Sequence, residues 1–289
     1  MADNLKDLLK RSTSSQMLAA VIGFPVNHSL SPTIHNAGFK HLDLQWDYIP
    51  LEVEERDLEE VFEQMRSSNL KGLSVTMPYK AKAAMMVDEC TPTAKVLGAV
   101  NCVTSTDQGL IGHNTDGDGF LKALKHDAGF DLKQKRVVVL GAGGAAKAIT
   151  EALGRSEVSS LAVINRTQAK AESTADLAGD VGSVGELEDI SEADLVVNAT
   201  SLGMKDNSTD FPCPIDLIHS DQLVVDLIYH PLKTPWLSAA EQKGVRTHNG
   251  VSMLLFQATE AFTLWTGEQA PVSIMLRAIE EELERRSHK

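Results

Sequence analysis

The sequence predicts an α/β protein of two domains, each built on a largely parallel sheet. Three observations carry this expectation. The chain has 289 residues, enough for two domains at about 150 residues each. Short β-rich runs alternate with longer helical patterns, the rhythm of strands joined by helical crossovers. The run Arg136–Leu140 (RVVVL) is apolar without alternation from its second residue on, as a strand covered on both faces must be.

The elements follow in order. Residues 17–24 read as a buried strand stopped by Pro25. Ser31 as N-cap and Pro32 at the first helical position start a helix over 32–41. Residues 46–51 form a second strand, 53–67 an acidic amphipathic helix, and 71–76 a third strand ended by Pro78. A helix over 81–88 follows, Pro92 breaks the chain, and 99–104 pairs with Gly109–His113. A helix over 118–127 runs into a domain crossover near 120–135, after which come the strand Arg136–Leu140 and a helix running to about Gly154. Strand 161–164, helix 168–177, strands 195–197 and Leu223–Asp226, and helix 236–243 complete this half. Two closing helices span 251–267 and 272–286. Residues 2–14 read as ragged or loosely docked. The expected domains are 17–119, completed by 251–289, and 120–250.

Composition narrows the partners. Against 27 Lys and Arg stand 40 Asp and Glu, a net charge of −13, which repels phosphate backbones and argues against a nucleic-acid-binding face. Cys90, Cys102 and Cys213 show no C-x-x-C spacing, as expected in a reducing cytosol. Asp3 and Asp7 stand where a signal peptide would be basic, and no apolar run reaches the ~18 residues of a membrane span. A cytoplasmic protein without membrane contact is expected. His28, His35, His113 and His230 lack metal-ligand spacing, so no metal is expected.

The most specific local signal is the turn after RVVVL. Gly141-Ala142-Gly143-Gly144-Ala145-Ala146 runs from a buried strand into a helix. Gly141 permits the tight turn, Gly143 lets backbone approach a pyrophosphate, and the helix N-terminus offers free N–H groups to its charge. This is the context of a Rossmann-type dinucleotide site. About 20 residues on, where NAD-preferring sites carry a carboxylate for the ribose, the chain has Asn165-Arg166-Thr167, with Lys170 one helical turn further. A guanidinium grips a 2′-phosphate bidentately, so NADP(H) is expected over NAD.

Acid–base candidates lie in the first half. Ser29 and Ser31 flank a helix start, suited to a carboxylate or simply to capping. Lys80 follows Ser74-Val-Thr76-Met-Pro78-Tyr, and a lysine in a cleft exchanges a proton when its pKa is lowered. Asn101 and Asp116 each lie in a glycine context, and Asp116 suits pairing with Lys80. Singly, each of these also fits an ordinary turn or surface residue.

Taken together, HSLSP, VTMPYK, GAVN, NTDG, GAGGAA with NRT, NATSLGM and GVSMLLFQ, in this order, resemble the shikimate dehydrogenase family, including its quinate/shikimate branch. The resemblance runs from about Ala20 to Arg286. It implies an N-terminal substrate domain completed by the C-terminal helices, and a doubly wound Rossmann-type NADP domain between them. It implies NADPH-dependent reduction of 3-dehydroshikimate to shikimate, a step toward chorismate and the aromatic amino acids. The matching substrate residues are Ser29 and Ser31 for the carboxylate, with Ser74, Thr76, Asn101, Tyr229 and Gln257 around the ring. Lys80 and Asp116 match the catalytic dyad. Gly141, Ala142, Gly143, Gly144 and Ala145 match the pyrophosphate loop, and Asn165, Arg166, Thr167 and Lys170 the adenosine-phosphate clamp. Thr200, Leu227, Gly250 and Met253 match cofactor-lining positions. One departure stands out. The family usually has Asn where this chain has Ser74, which leaves quinate open as a substrate. A ligand-sensing regulator on the same fold is the non-enzyme alternative, and a monomer or homodimer is expected.

Overall fold

The computed structural model describes residues 16–204 and 210–287; the expectation for residues 2–14 lies outside them. Over the described residues the chain divides into two compact units. One ends at Thr115 and resumes at Gln257, and the other spans Asp116–Phe256.

In the first unit β1 (Met17–Gly23) lies between parallel β2 (Trp46–Glu52) and β3 (Leu70–Val75). Beyond β3 come β5 (Cys102–Thr106), β6 (Gly109–His113) and the short edge β4 (Glu89–Cys90), in the order β2-β1-β3-β5-β6-β4. This sheet is mixed, which corrects the expectation of a largely parallel one: β5 runs antiparallel to both β3 and β6. The two-residue connection between β5 and β6, with Gly109 at φ +124°, is too short for a crossover and forces a hairpin.

Helix α1 (Ser31–His41) follows β1, and α2 (Leu58–Ser67) follows a short 3₁₀ turn at Glu55–Asp57. The helix expected to begin at residue 53 therefore begins at Leu58. It buries Leu58, Val61, Phe62 and Met65, one stripe at helical spacing. Each such side chain contributes about 1.5–3 kcal/mol on full burial. Then come α3 (Lys80–Met86) and α4 (Pro92–Leu97). Pro92 starts a helix rather than breaking the chain: it occupies the first turn, where its missing N–H has no partner to lose, and Gly98 at φ +56° ends the helix. The expected strand 99–104 accordingly begins only at Cys102.

The second unit opens with α5 (Asp116–His126). Its six strands are β7 (Arg136–Leu140), β8 (Ser160–Ile164), β9 (Gly182–Val184), β10 (Leu195–Asn198), β11 (Leu223–Asp226) and β12 (Arg246–His248). All pairs are parallel, in the order β12-β11-β10-β7-β8-β9. Counted within the unit this is 3-2-1-4-5-6, the doubly wound arrangement, with its switch point between β7 and β10. Helices α6 (Gly144–Gly154), α7 (Gln168–Ala175), α8 (Asp189–Glu192) and α9 (Pro235–Gln242) connect the strands. Separate apolar clusters cover the two sheet faces, which is why RVVVL carries no polar alternation. Strands β9 and β12, three residues each, are too short to show a periodic pattern and were not expected.

The chain re-enters the first unit inside α10 (Val251–Thr266) and ends its described part with α11 (Val272–Ser287), which packs against α1. Trp265 Nε1 donates to the Val103 carbonyl at 3.0 Å and ties α10 to β5.

Candidate active site

In the first unit the candidate residues gather where parallel strands β1 and β3 end. Ser29 and Ser31 follow β1. Helix α1 starts at Ser31 with Leu30 in the cap position, so Ser31 is not the N-cap. Instead the Ser31 N–H donates to Ser29 Oγ at 3.2 Å, and Ser29 takes the capping role from outside the helix. Ser31 is buried and Ser29 half-buried. Ser74 lies on β3 and Thr76 just past its end, both half-buried. The Thr76 N–H donates to the Ile22 carbonyl at 2.9 Å and the Phe24 N–H to the Met77 carbonyl at 3.1 Å, which joins the two strand exits. Gly23 makes this approach possible, since a Cβ there would stand 2.4 Å from Thr76 Cγ2. Lys80 is the first residue of α3, and its carbonyl accepts from the Val100 N–H at 2.9 Å.

Asn101 is buried, and its amide engages Thr115: Nδ2 donates to Thr115 Oγ1 at 3.0 Å, and Oδ1 accepts from the Thr115 N–H at 2.8 Å. Thr115 Oγ1 in turn donates to the Gln257 carbonyl at 3.1 Å. Thr115 thus ties together three segments of the first unit, a role that no local pattern signals. Asp116, buried at the start of α5, and Tyr229, half-buried after β11, belong to the second unit.

The second unit places its candidates at the carboxyl ends of β7, β8, β10 and β11, astride the switch point. Gly141 adopts φ +108°, and a Cβ there would press on Ala199 O and Thr200 Cγ2 at 3.0 Å. Gly143 and Gly144 differ: nothing lies within 4 Å of an added Cβ, so packing within the protein does not require glycine there. Glycine at these exposed positions leaves the α6 N-terminus bare for a close-lying anion, the fit a pyrophosphate needs. Beside it is a cavity of ≈ 420 Å³ lined by Gly141, Asn165, Arg166, Thr200 and Leu202 among others. Arg166 and Lys170 are exposed, and neither pairs with a carboxylate among the described residues. Asn165 Nδ2 donates to the Thr167 carbonyl at 2.9 Å and fixes this corner.

A buried polar network holds Thr200 and Leu202, two residues of that cavity's lining. Asn198, fully buried at the end of β10, accepts from Thr200 N–H at 3.0 Å and Thr200 Oγ1 at 2.7 Å. Its amide donates to Asp226 Oδ1 at 3.0 Å and to the Leu202 carbonyl at 3.3 Å. Asp226 also accepts from Ile228 N–H at 3.1 Å and Thr234 Oγ1 at 2.8 Å. Burial pushes its carboxyl above the usual range, and the three donors work against that shift. Leu227 and Gly250 meet nearby. A Cβ on Gly250 would stand 2.0 Å from the Leu227 carbonyl oxygen, so only glycine fits. Met253, half-buried on α10, packs against this unit's core. Sequence reading missed Asn198 and Asp226, although Asn198 heads the NATSLGM segment.

Among the described residues no group of three or more His, Cys, Asp or Glu is placed to hold a metal, and no helix is long and apolar enough to cross a membrane. Fold and site together define a two-unit α/β protein of the dinucleotide-dependent dehydrogenase class.

Comparison with known proteins gives the particular family. The shikimate dehydrogenase substrate binding domain matches residues 21–103, shikimate / quinate 5-dehydrogenase residues 122–204, and the shikimate 5′-dehydrogenase C-terminal domain residues 250–280. A shikimate dehydrogenase (NADP(+)) from Moorella thermoacetica is 41% identical over 278 residues, 93% of this chain and 94% of that protein. The structure of shikimate 5-dehydrogenase from Thermus thermophilus, in complex with NADP(H) and shikimate, superposes with a TM-score of 0.85 at 37% identity, covering 92% of this chain and 99% of that one. A quinate dehydrogenase from Corynebacterium glutamicum, in complex with NAD, gives a TM-score of 0.85 at 29% identity, covering 92% and 99%. The chain belongs to the shikimate dehydrogenase family.

Proposed function

We propose that the protein catalyses the reversible, NADPH-dependent reduction of 3-dehydroshikimate to shikimate in the cytoplasm, as a monomer or homodimer. The observation that carries this reading is that a chain 41% identical to an NADP-dependent shikimate dehydrogenase has Lys80 and Asp116 in its VTMPYK and NTDG motifs, and an Arg166 that no carboxylate neutralises among the described residues. Ser29 and Ser31 hold the substrate carboxylate, and Ser74, Thr76, Asn101, Tyr229 and Gln257 read the ring. Gly141 to Ala145 receive the pyrophosphate, Asn165, Arg166, Thr167 and Lys170 the adenosine 2′-phosphate, and Thr200, Leu227, Gly250 and Met253 line the rest of the cofactor site.

Bound NADPH supplies the hydride. As the carbonyl oxygen gains charge, the Lys80 ammonium stabilises it and delivers a proton; in the reverse direction the neutral amine accepts one. Asp116 is the carboxylate partner in this acid–base pair. Positioned proton transfer of this kind gives about 10²–10⁴-fold.

A second reading, turnover of quinate as well as shikimate, is left open by Ser74. A seryl hydroxyl is shorter than the family's usual amide and does not fix donor and acceptor in one plane. The test is NADP⁺ reduction by the purified protein with shikimate and with quinate, side by side. Turnover of shikimate alone supports the first reading, and comparable turnover of quinate supports the second. No turnover of either overturns the substrate assignment.

A further inference from the structure

Among the described residues of the first unit, two neighbouring rings carry buried polar atoms without a hydrogen-bond partner, His35 at Nδ1 and Tyr48 at its hydroxyl; the mechanism above uses neither, and the hydroxyl is the one that faces assigned substrate residues. Strand register places it. Tyr48, Ala19 and Gly72 form one row across β2, β1 and β3, and Pro50, Val21 and Ser74 form the next row on the same face. The ring is tightly fixed. His35 stacks on it with centroids 4.5 Å apart and planes 4° apart. Asn36 clamps its backbone from both sides, donating to the Tyr48 carbonyl at 2.9 Å and accepting from its N–H at 2.8 Å. His35 adds no charge, because complete burial pushes its pKa down to about 3.

The phenol oxygen is shielded from solvent and has no hydrogen-bond partner. A buried hydroxyl left unpaired is destabilising, and such groups are rare in native proteins. What faces it is specific. Burial raises the Tyr48 pKa, and the hydroxyls of Ser74 and then Ser31 are the groups that oppose that shift, although neither reaches normal hydrogen-bond geometry. These are two of the residues assigned to the substrate.

We infer that Tyr48 is a positioning residue for the ring-acid substrate: its O–H donates to Ser74 Oγ when ligand binds, and the Ser74 proton then points to a ligand oxygen. This rests on the substrate reading above. The chemistry explains how serine serves at position 74. An amide holds its donor in a fixed plane, whereas a seryl proton has three staggered positions and needs a neighbour to select one. A phenol locked behind it by His35 and Asn36 is such a neighbour, and a donor to Ser74 also polarises the outgoing hydrogen bond.

The test compares wild type, Tyr48→Phe, Ser74→Ala and the double variant in steady-state kinetics and thermal unfolding. Selecting one of three rotamers, with some polarisation, predicts that Tyr48→Phe raises KM for shikimate about 3–10-fold. The kcat should stay within about twofold and KM for NADP⁺ should be unchanged. Its Tm should hold or rise, because the substitution removes an unpaired buried hydroxyl. In the Ser74→Ala background the same substitution should leave KM unmoved. A fall in Tm with no change in KM would reduce Tyr48 to a packing residue and overturn the inference. So would an equal KM effect with and without Ser74. Wild type run alongside separates the two levels: no turnover of shikimate or quinate there overturns the substrate reading and this role with it. A working wild type with an unchanged Tyr48→Phe KM overturns only the role of Tyr48.

Discussion

Replacing Asn198 by Ala removes four hydrogen bonds at the end of β10 and leaves a fully buried carboxylate one donor short. The structure lets the loss be summed. The bond to Asp226 at 3.0 Å joins a charged acceptor and contributes about 1.5–3 kcal/mol. The one from the Thr200 N–H contributes about 1 kcal/mol. The long contact to Leu202 and the rotatable Thr200 hydroxyl add about 0.5–1 kcal/mol together. The expected total is about 3–5 kcal/mol, read as a shift of the urea midpoint for the transition that unfolds the second unit. Because Asn198 bonds to Thr200 and Leu202, which line the cavity proposed to take the cofactor, KM for NADP⁺ should rise in the same variant. Asn198→Asp should be worse at neutral pH, since it sets a second buried carboxylate against Asp226, and should recover partly in mild acid as the pair takes up a proton. A loss under about 1 kcal/mol with an unchanged KM would refute the idea that this network shapes the cavity.

Four further outcomes follow from the same geometry. Arg166→Ala should raise KM for NADP⁺ about tenfold or more and leave NAD⁺ kinetics unchanged, because the role proposed for the guanidinium is to the 2′-phosphate that NAD⁺ lacks; equal losses with both cofactors would remove that role. Gly143→Ala should keep Tm and raise KM for NADP⁺, because its Cβ enters open space, whereas Gly250→Ala should cost several degrees of Tm because its Cβ would lie 2.0 Å from the Leu227 carbonyl oxygen. Lys80→Ala should lower kcat about 10²–10⁴-fold with KM little altered, and a near-normal kcat would make Lys80 a binding residue only. Asp226, raised by burial, binds its proton more tightly folded than unfolded. Its contribution to stability is therefore full below the ordinary value of 3.8 and lost as pH rises through the folded value. Asp226→Asn should flatten that dependence in pH-resolved denaturation.

What the sequence made legible is what its physics makes local. The turn from β7 into α6 announces itself because strand, glycines and helix are contiguous. The stripe of α2 shows because burial recurs at helical spacing. Pro92 misled because proline both ends and begins helices, and only Gly98 at the far end tells which. The β5–β6 hairpin is legible in its two-residue link, but the antiparallel pairing of β5 with β3 was hidden because it joins segments about 30 residues apart, which no local pattern records. The same division holds at the site. Ser29, Ser31, Thr76 and Lys80 stand in short motifs. Thr115 acts through Asn101, 14 residues away, and Gln257, 142 away, while Asn198 meets Asp226 across 28 residues. Tyr48 lies on a strand where any tyrosine reads as core, and only the register that sets Ser74 in the next row on the same face gives it another meaning.

That distinction bears on how specificity is set. The shikimate and quinate dehydrogenases from Thermus and Corynebacterium superpose on this chain equally well, at TM-scores of 0.85, although one was solved with NADP(H) and the other with NAD. Overall backbone similarity therefore does not tell which substrate or which cofactor this chain takes. Under the proposed assignment, the residues given to substrate and to cofactor choice belong to different compact units. Ser74 and the tyrosine behind it lie in the first, and Arg166 lies in the second. Changes at position 74 or 48 should then move substrate constants and leave cofactor constants alone, and changes at 166 should do the reverse. A substitution at Ser74 that altered NADP⁺ discrimination would show the two choices to be coupled and would place the origin of specificity outside the side chains named here.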